Sequence, residues 1–288
     1  MKHLLWFSGF LTLLLAGDRL GGLLLQRQAD ASLFRYSRLY RGEAGADLLF
    51  VGNSRGLTFY QPFIEEKTGL RTFNMSYNGL PADLAGVLVQ DYLDRYPAPK
   101  KMIVDITLCD RSNDALIAAF LPFSGRSFRL DSLIHSKLPE IWRAGRVSAL
   151  YRFNGEVFQR VLYHRNKTDS DWLLDRVVAP QLAAEAGLRS YDLEVHPDLV
   201  GQLQALVDSA RKKGVTVELV ISPYFPSFEV KNLDALKVAV EEATGLSVHD
   251  YRQALENPAF FGDFMHPNKA GAGAYIDLLL KDRVLPAE

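Results

Sequence analysis

Short apolar runs that alternate with helix-period segments constrain this chain more than any other feature. The runs fall at residues 47–51, 71–76, 102–107, 215–221 and 246–249. Helical spacing fills residues 59–68, 82–96, 199–213, 234–244 and 270–280, and Gly69 and Gly214 mark two of the stops. In the 82–96 segment Leu84, Val87, Leu88, Val89, Tyr92 and Leu93 recur at helical spacing. Strand–helix alternation of this kind predicts an α/β fold: a doubly wound parallel sheet with helices on both faces. Ligands of such sheets gather at the carboxyl ends of the strands. Ser54, residues 77–79, residues 107–110 and residues 222–225 are therefore expected to border a crevice.

The alternation loosens between Asp110 and Val195, where Arg126, Arg129, Arg143, Arg146, Arg152 and Arg160 lie among aliphatic and aromatic residues. Pro122, Pro139 and Pro180 break this stretch into short helices, and it is too apolar to stay disordered. Residues 110–195 are expected to form an irregular helical cap inserted into the sheet domain, a place where substrate choice is commonly set.

At the amino terminus, residues 4–15 and 20–25 are apolar, with Asp18 and Arg19 between them. The first run has the length of a signal-peptide core, and the two together are long enough to span a bilayer. Asp18 and Arg19 would then lie near enough one interface to reach it. Residues 1–28 are read as an uncleaved signal anchor, and residues 29–288 as the α/β domain, held outside the cytoplasm. Two other readings stay open: cleavage near Leu15-Ala16-Gly17, and a buried N-terminal helix of a soluble protein. Flanking charge leaves orientation undecided, since Lys2 precedes the run while Arg27, Arg35, Arg38 and Arg41 follow it.

Two motifs carry chemistry. Val51-Gly52-Asn53-Ser54-Arg55 follows the first apolar run and puts a serine on a Gly-containing turn at a strand's carboxyl end, where an α/β sheet exposes a nucleophile. Asp263 and His266 lie three residues apart just before the last helix, a spacing that can aim a carboxylate and an imidazole at one point. Ser54, His266 and Asp263 form a candidate triad. The formal net charge of −1 offers no basic field for nucleic acid. Cys109 is the only cysteine, and His3, His135, His164, His196 and His249 show no metal-ligand spacing, so neither a metal nor another cofactor is expected.

These blocks resemble the SGNH (GDSL-like) hydrolase superfamily. Gly52-Asn53-Ser54-Arg55 looks like its nucleophile block, residues 74–79 (Asn-Met-Ser-Tyr-Asn-Gly) like its second, and residues 263–268 with Gly271 like its last. The resemblance spans residues 47–107 and 199–280, and is nearest to membrane-anchored members, including partners of membrane-bound O-acyltransferases that modify cell-wall and exopolysaccharides. It implies Ser54 as nucleophile, His266 as general base, Asp263 as the group that orients the imidazole, and the amides of Ser54 and Gly79 as oxyanion donors. The family's third block, an asparagine-bearing turn after the third strand, is missing here; Asn78, Thr107 or Asn113 could substitute.

Arg55 has two readings: a fork for an anionic substrate group, or a bridge to Asp105 or Asp110. Tyr224 and Phe225 either line the site or pack in the core, and His249-Asp250 reads as structural. Two function classes emerge. One is a serine-dependent esterase or O-acyltransferase of acetyl type, acting on an acylated glycan or small ester through an acyl-Ser54 intermediate. The other is a catalytically inactive, membrane-anchored SGNH-like binding or assembly module.

Overall fold

The computed structural model describes residues 2–168 and 173–286. The chain divides into two compact units: Met1–Glu43 with Asp114–Asp169, and Ala44–Asn113 with Ser170–Glu288.

The second unit holds the sheet. Its strands are β1 (Leu48–Val51), β2 (Thr72–Asn74), β3 (Lys101–Asp105), β4 (Ser190–Asp192), β5 (Thr216–Ile221), β6 (Glu229–Lys231) and β7 (Val248–Asp250). Five of them form one parallel sheet in the order β2-β1-β3-β5-β7. β1 through β3 are buried almost throughout, which is why they read as continuous apolar runs rather than alternating ones. Leu48, Phe50, Ile103 and Val220 face one core layer, which they share with Ile64, Tyr275, Ile276 and Leu279 of helices Gln61–Thr68 and Lys269–Lys281. Leu49, Met102, Val104 and Leu219 are equally buried. By the two-residue period of a strand they face the other layer, where helices Ala82–Arg95, Pro197–Lys212 and Leu233–Thr244 pack side by side.

Chain direction across the sheet reverses between β1 and β3, because β2 lies to one side and β5 and β7 to the other. The loops leaving β1 and β3 therefore diverge and open a crevice at their carboxyl ends. Part of the strand expected at residues 102–107 is not strand: Ile106–Cys109 is a 3-10 turn, capped by Asp105, whose carboxylate accepts the Thr107 amide at 3.0 Å. β4 and β6 pair with each other in a separate two-stranded parallel ribbon that hydrophobic periodicity does not announce.

The first unit is helical. The segment expected to be an insertion is divided: Asp114–Asp169 folds with the N-terminal helix, and the rest, from Ser170, belongs to the sheet unit. Four residues of that segment, 169–172, lie outside the described residues. Pro122 and Pro139 stand in the first turns of Leu121–Ser124 and Pro139–Val147, where a missing amide costs nothing. Ser127 caps Phe128–Lys137 by accepting the Leu130 amide at 3.0 Å. Phe34, Tyr36, Phe120, Leu130, Ile134, Val157 and Val161 form the interior of this unit.

The N-terminal helix, Lys2–Ala31, is long and apolar enough to cross a membrane. Leu4, Trp6, Phe7, Phe10 and Leu13 are each at least 60% exposed, as a lipid-facing surface would be. Asp18 and Arg19 do not stand free. The Asp18 carboxylate accepts the Ser148 hydroxyl at 2.5 Å and the amides of Ala149 and Leu150 at 2.7 and 3.1 Å. Arg19 donates to the Val147 carbonyl at 3.0 Å. From Asp18 onward this helix is thus docked on its own helical unit.

Candidate active site

Ser54 opens a 3-10 turn, Ser54–Thr58, directly after β1. Asn53 builds that turn: its side-chain oxygen accepts the Arg55 amide at 3.0 Å, and its amide nitrogen donates to the Thr107 carbonyl at 2.8 Å. One residue therefore caps the Ser54 turn and ties it to the loop after β3. Glycine is required at position 56, where an added Cβ would lie 2.3 Å from Ser76 Oγ. That close approach is braced by Asn74, which donates to the carbonyls of Gly56 and Phe59 at 2.8 and 3.0 Å.

The other half of the site is a closed loop before the last helix. Phe261 bridges to Pro267, and the Gly262 amide donates to the His266 carbonyl at 3.0 Å. Asp263 folds the loop inward, its Oδ1 accepting the amides of Met265 and His266, each at 2.9 Å. The same oxygen meets His266 Nδ1 at 2.8 Å, and His266 Nε2 lies 2.8 Å from Ser54 Oγ. Asn268 anchors the loop's exit by accepting the Gly271 amide at 3.1 Å and donating to the Ala259 carbonyl at 2.8 Å. Burial pushes the Asp263 carboxyl up, but the His266 contact and the two amides outweigh it, so the group sits below the ordinary carboxylate value.

The bridge expected from Arg55 to Asp105 or Asp110 is not formed: its side chain is buried at the border of the cleft and pairs with neither among the described residues. Its guanidinium donates to the carbonyls of Met265 at 2.6 Å and Pro223 at 3.0 Å, and to that of Ser222, while lying 3.3 Å from the Tyr224 ring centre. Arg55 thus clamps the histidine loop to the end of β5. Burial pushes the Tyr224 phenol up to about 12, against the neighbouring Arg55 charge. Tyr224 borders the site, whereas Phe225 packs edge-on against Phe261 and Phe264, each at 5.5 Å. His249 pairs with Glu218 at 3.1 Å on β5 and β7.

Thr107 borders the cleft but does not offer it a hydroxyl. Its Oγ1 donates to the fully buried Asp105 at 2.5 Å, and Asp105 also accepts both the amide and the hydroxyl of Ser222. The carboxylate welds the ends of β3 and β5 together and consumes the Thr107 donor. Asn113 reaches the site instead, donating to the Gly79 carbonyl at 3.0 Å. Gly79 is in the left-handed region with φ +66°, and an added Cβ would stand 2.7 Å from the Asn113 amide nitrogen. The backbone amides of Ser54 and Gly79 donate to no other group among the described residues, and both residues border the same cleft as Asn113. Asn78 is exposed and borders a second recess beside Ser54.

Arg176 escaped the sequence reading. It donates to the Gly262 carbonyl at 3.0 Å and lies 3.5 Å from Asp263 Oδ2, so it steadies the loop and the carboxylate together. No local motif marks it. Among the described residues, no group of three or more His, Cys, Asp or Glu side chains could hold a metal ion. Comparison of the chain with protein-family models finds no match, and comparison with curated proteins finds none.

Proposed function

We propose that this protein is a serine-dependent acyl-ester hydrolase or O-acyltransferase of the SGNH type. The observation that carries the reading is the hydrogen-bonded chain Ser54 Oγ–His266 Nε2, His266 Nδ1–Asp263 Oδ1, with both distances at 2.8 Å. A serine hydroxyl becomes nucleophilic only when a base takes its proton, and the resulting imidazolium is stabilised by a carboxylate on its far nitrogen. In the first half-reaction Ser54 Oγ bonds to the ester carbonyl carbon while its proton passes to His266. The carbon–oxygen bond to the alcohol then breaks, and the departing oxygen takes that proton. In the second half-reaction water or an acceptor hydroxyl attacks the acyl-serine, gives its proton to His266, and Ser54 is released protonated. The tetrahedral oxyanion is assigned to the amides of Ser54 and Gly79 with Asn113 as side-chain donor. Loss of one such donor costs roughly two to three orders of magnitude in rate.

The helix Lys2–Ala31 fits an anchor, and we place the sheet unit on the outer side of a cytoplasmic membrane, acting on an acylated glycan beside a membrane-bound O-acyltransferase. The second reading, an inactive binding module, draws on the commitment of Thr107 to Asp105. A fluorophosphonate probe separates the two. Labelling that is lost in Ser54→Ala and His266→Ala, both still folded, supports the enzyme, and an unlabelled wild-type protein overturns it.

A further inference from the structure

Two recesses open from Ser54 and His266, and one is more apolar than the other. The smaller, about 180 Å³, is lined by Leu57, Leu173, Leu174 and Pro267, with Thr58, Asn78 and Asp263 also on its border. The larger, about 290 Å³, is bordered by Asn53, Asp110, Arg111, Asn113 and Tyr191 together with Leu80, Leu108, Leu193 and Met265. Its polar groups are locked to one another. Arg111 holds Asp110 through two contacts of 3.0 and 2.9 Å and lies 5.2 Å from the Tyr191 ring centre, and the Tyr191 hydroxyl donates to the same carboxylate at 2.5 Å. One side of Ser54 is therefore mainly apolar, and the other carries more hydrogen-bonding groups. An ester of a sugar has the same asymmetry, with an apolar acyl half and a hydroxyl-rich alcohol half.

We infer that the recess lined by Leu57, Leu173, Leu174 and Pro267 is an acyl-chain site for straight acyl groups of up to about six carbons, and that the Arg111–Tyr191 cleft receives the hydroxyl-rich alcohol. This rests on the acyl-Ser54 reading and adds which acyl groups it accepts. An apolar cavity of roughly 150 Å³ holds benzene, which has six carbons. The 180 Å³ recess thus takes acetyl with space to spare and is filled near hexanoyl. Each methylene that finds the wall should raise kcat/KM by up to about fourfold, the equivalent of about 0.8 kcal/mol. Both recesses are bordered by Ser54 and His266, so the acyl carbon can meet Oγ while the departing alcohol oxygen meets Nε2.

The test is a series of p-nitrophenyl esters, acetyl to decanoyl, turned over by the full-length protein in one detergent. kcat/KM should climb to about hexanoyl and then level or fall. Leu57→Trp should move the optimum to acetyl and lower the hexanoyl-to-acetyl ratio at least about tenfold, since a bulky ring fills the recess. Leu173→Trp narrows the same recess from another wall and stands in if Leu57→Trp fails to fold by thermal melting. Turnover with a flat acyl profile, or an unchanged ratio in both folded variants, overturns the inference alone. Absence of turnover together with absence of probe labelling at Ser54 overturns the acyl-enzyme reading itself, and this inference with it.

Discussion

Asp263 does two jobs with one oxygen: it accepts two main-chain amides that fold the histidine loop, and it meets the imidazole. Asp263→Asn keeps the size but loses the charge, and on the proposed mechanism activity should fall by roughly 10³- to 10⁴-fold, less than in Ser54→Ala, because Ser54 and His266 remain. The same carboxylate also links stability to pH. Its folded value is depressed, so its contribution is fully present above the ordinary carboxylate range and is lost as pH falls through the lower folded value. Melting curves from ~pH 6 down to ~pH 2.5 should therefore show the gap between wild type and Asp263→Asn closing as the solution becomes more acid. A gap that is constant across that range would assign the effect to packing alone. With 37% of the side chain exposed, water screens the interaction and the gap will be small. Arg55 gives a sharper effect. A lysine presents a point charge rather than a planar fork, so Arg55→Lys cannot hold three carbonyls and stack on Tyr224 at once. It should cost about 2–3 kcal/mol in urea unfolding and lower turnover through the displaced histidine loop.

The long N-terminal helix is two things along its length. Up to Gly17 it is a largely exposed apolar rod, and from Asp18 it is part of a folded unit, with Gly22 so close to Ala149 that an added Cβ would lie 2.5 Å from the Ala149 methyl. A truncation at residue 28, which the anchor reading of the sequence suggests, would remove the Asp18 cap from the 148–150 turn together with this contact. Deleting residues 1–16 should yield a water-soluble protein that melts like the full chain in detergent. Deleting residues 1–28 should lower the melting temperature and speed amide exchange across residues 147–153. Equal melting of the two truncations would mean that the docked half of the helix stabilises nothing.

For the whole molecule, the proposed anchor gives a prediction about sidedness. As an anchor, the apolar helix Lys2–Ala31 would tether the sheet unit to one face of a membrane, and the outer face is where an acylated glycan would be met. External protease added to spheroplasts should digest the sheet unit of the intact protein. Protection of the domain, or recovery of full-length protein in the soluble fraction, would overturn the outward-facing anchor.

Much of the sheet was legible because buried parallel strands are continuous apolar runs, a signal carried by neighbouring residues. Ser54, Asp263 and His266 were legible because each sits in a short motif at an element's end, where local geometry already limits what the side chain can reach. The 106–109 turn was missed because it is as apolar as the strand before it, and Asp105 ends the strand through hydrogen bonds that composition does not reveal. β4 and β6 were missed because three largely exposed residues each leave no periodicity to read. The contacts of Arg55 were not legible for another reason. Its partners are carbonyls more than 160 residues away, and a carbonyl is the same in every residue, so no sequence pattern could name them. Asp18 and Arg176 follow the same rule in part, since distant main-chain groups supply two of the three hydrogen bonds to Asp18 and one of the two Arg176 side-chain contacts. Sequence alone determined the short segments that hold Ser54, Asp263 and His266 and the alternation that builds the sheet. Only the tertiary structure decided which charged side chains border the cleft and which hold the backbone in place, because that depends on where distant peptide groups come to rest.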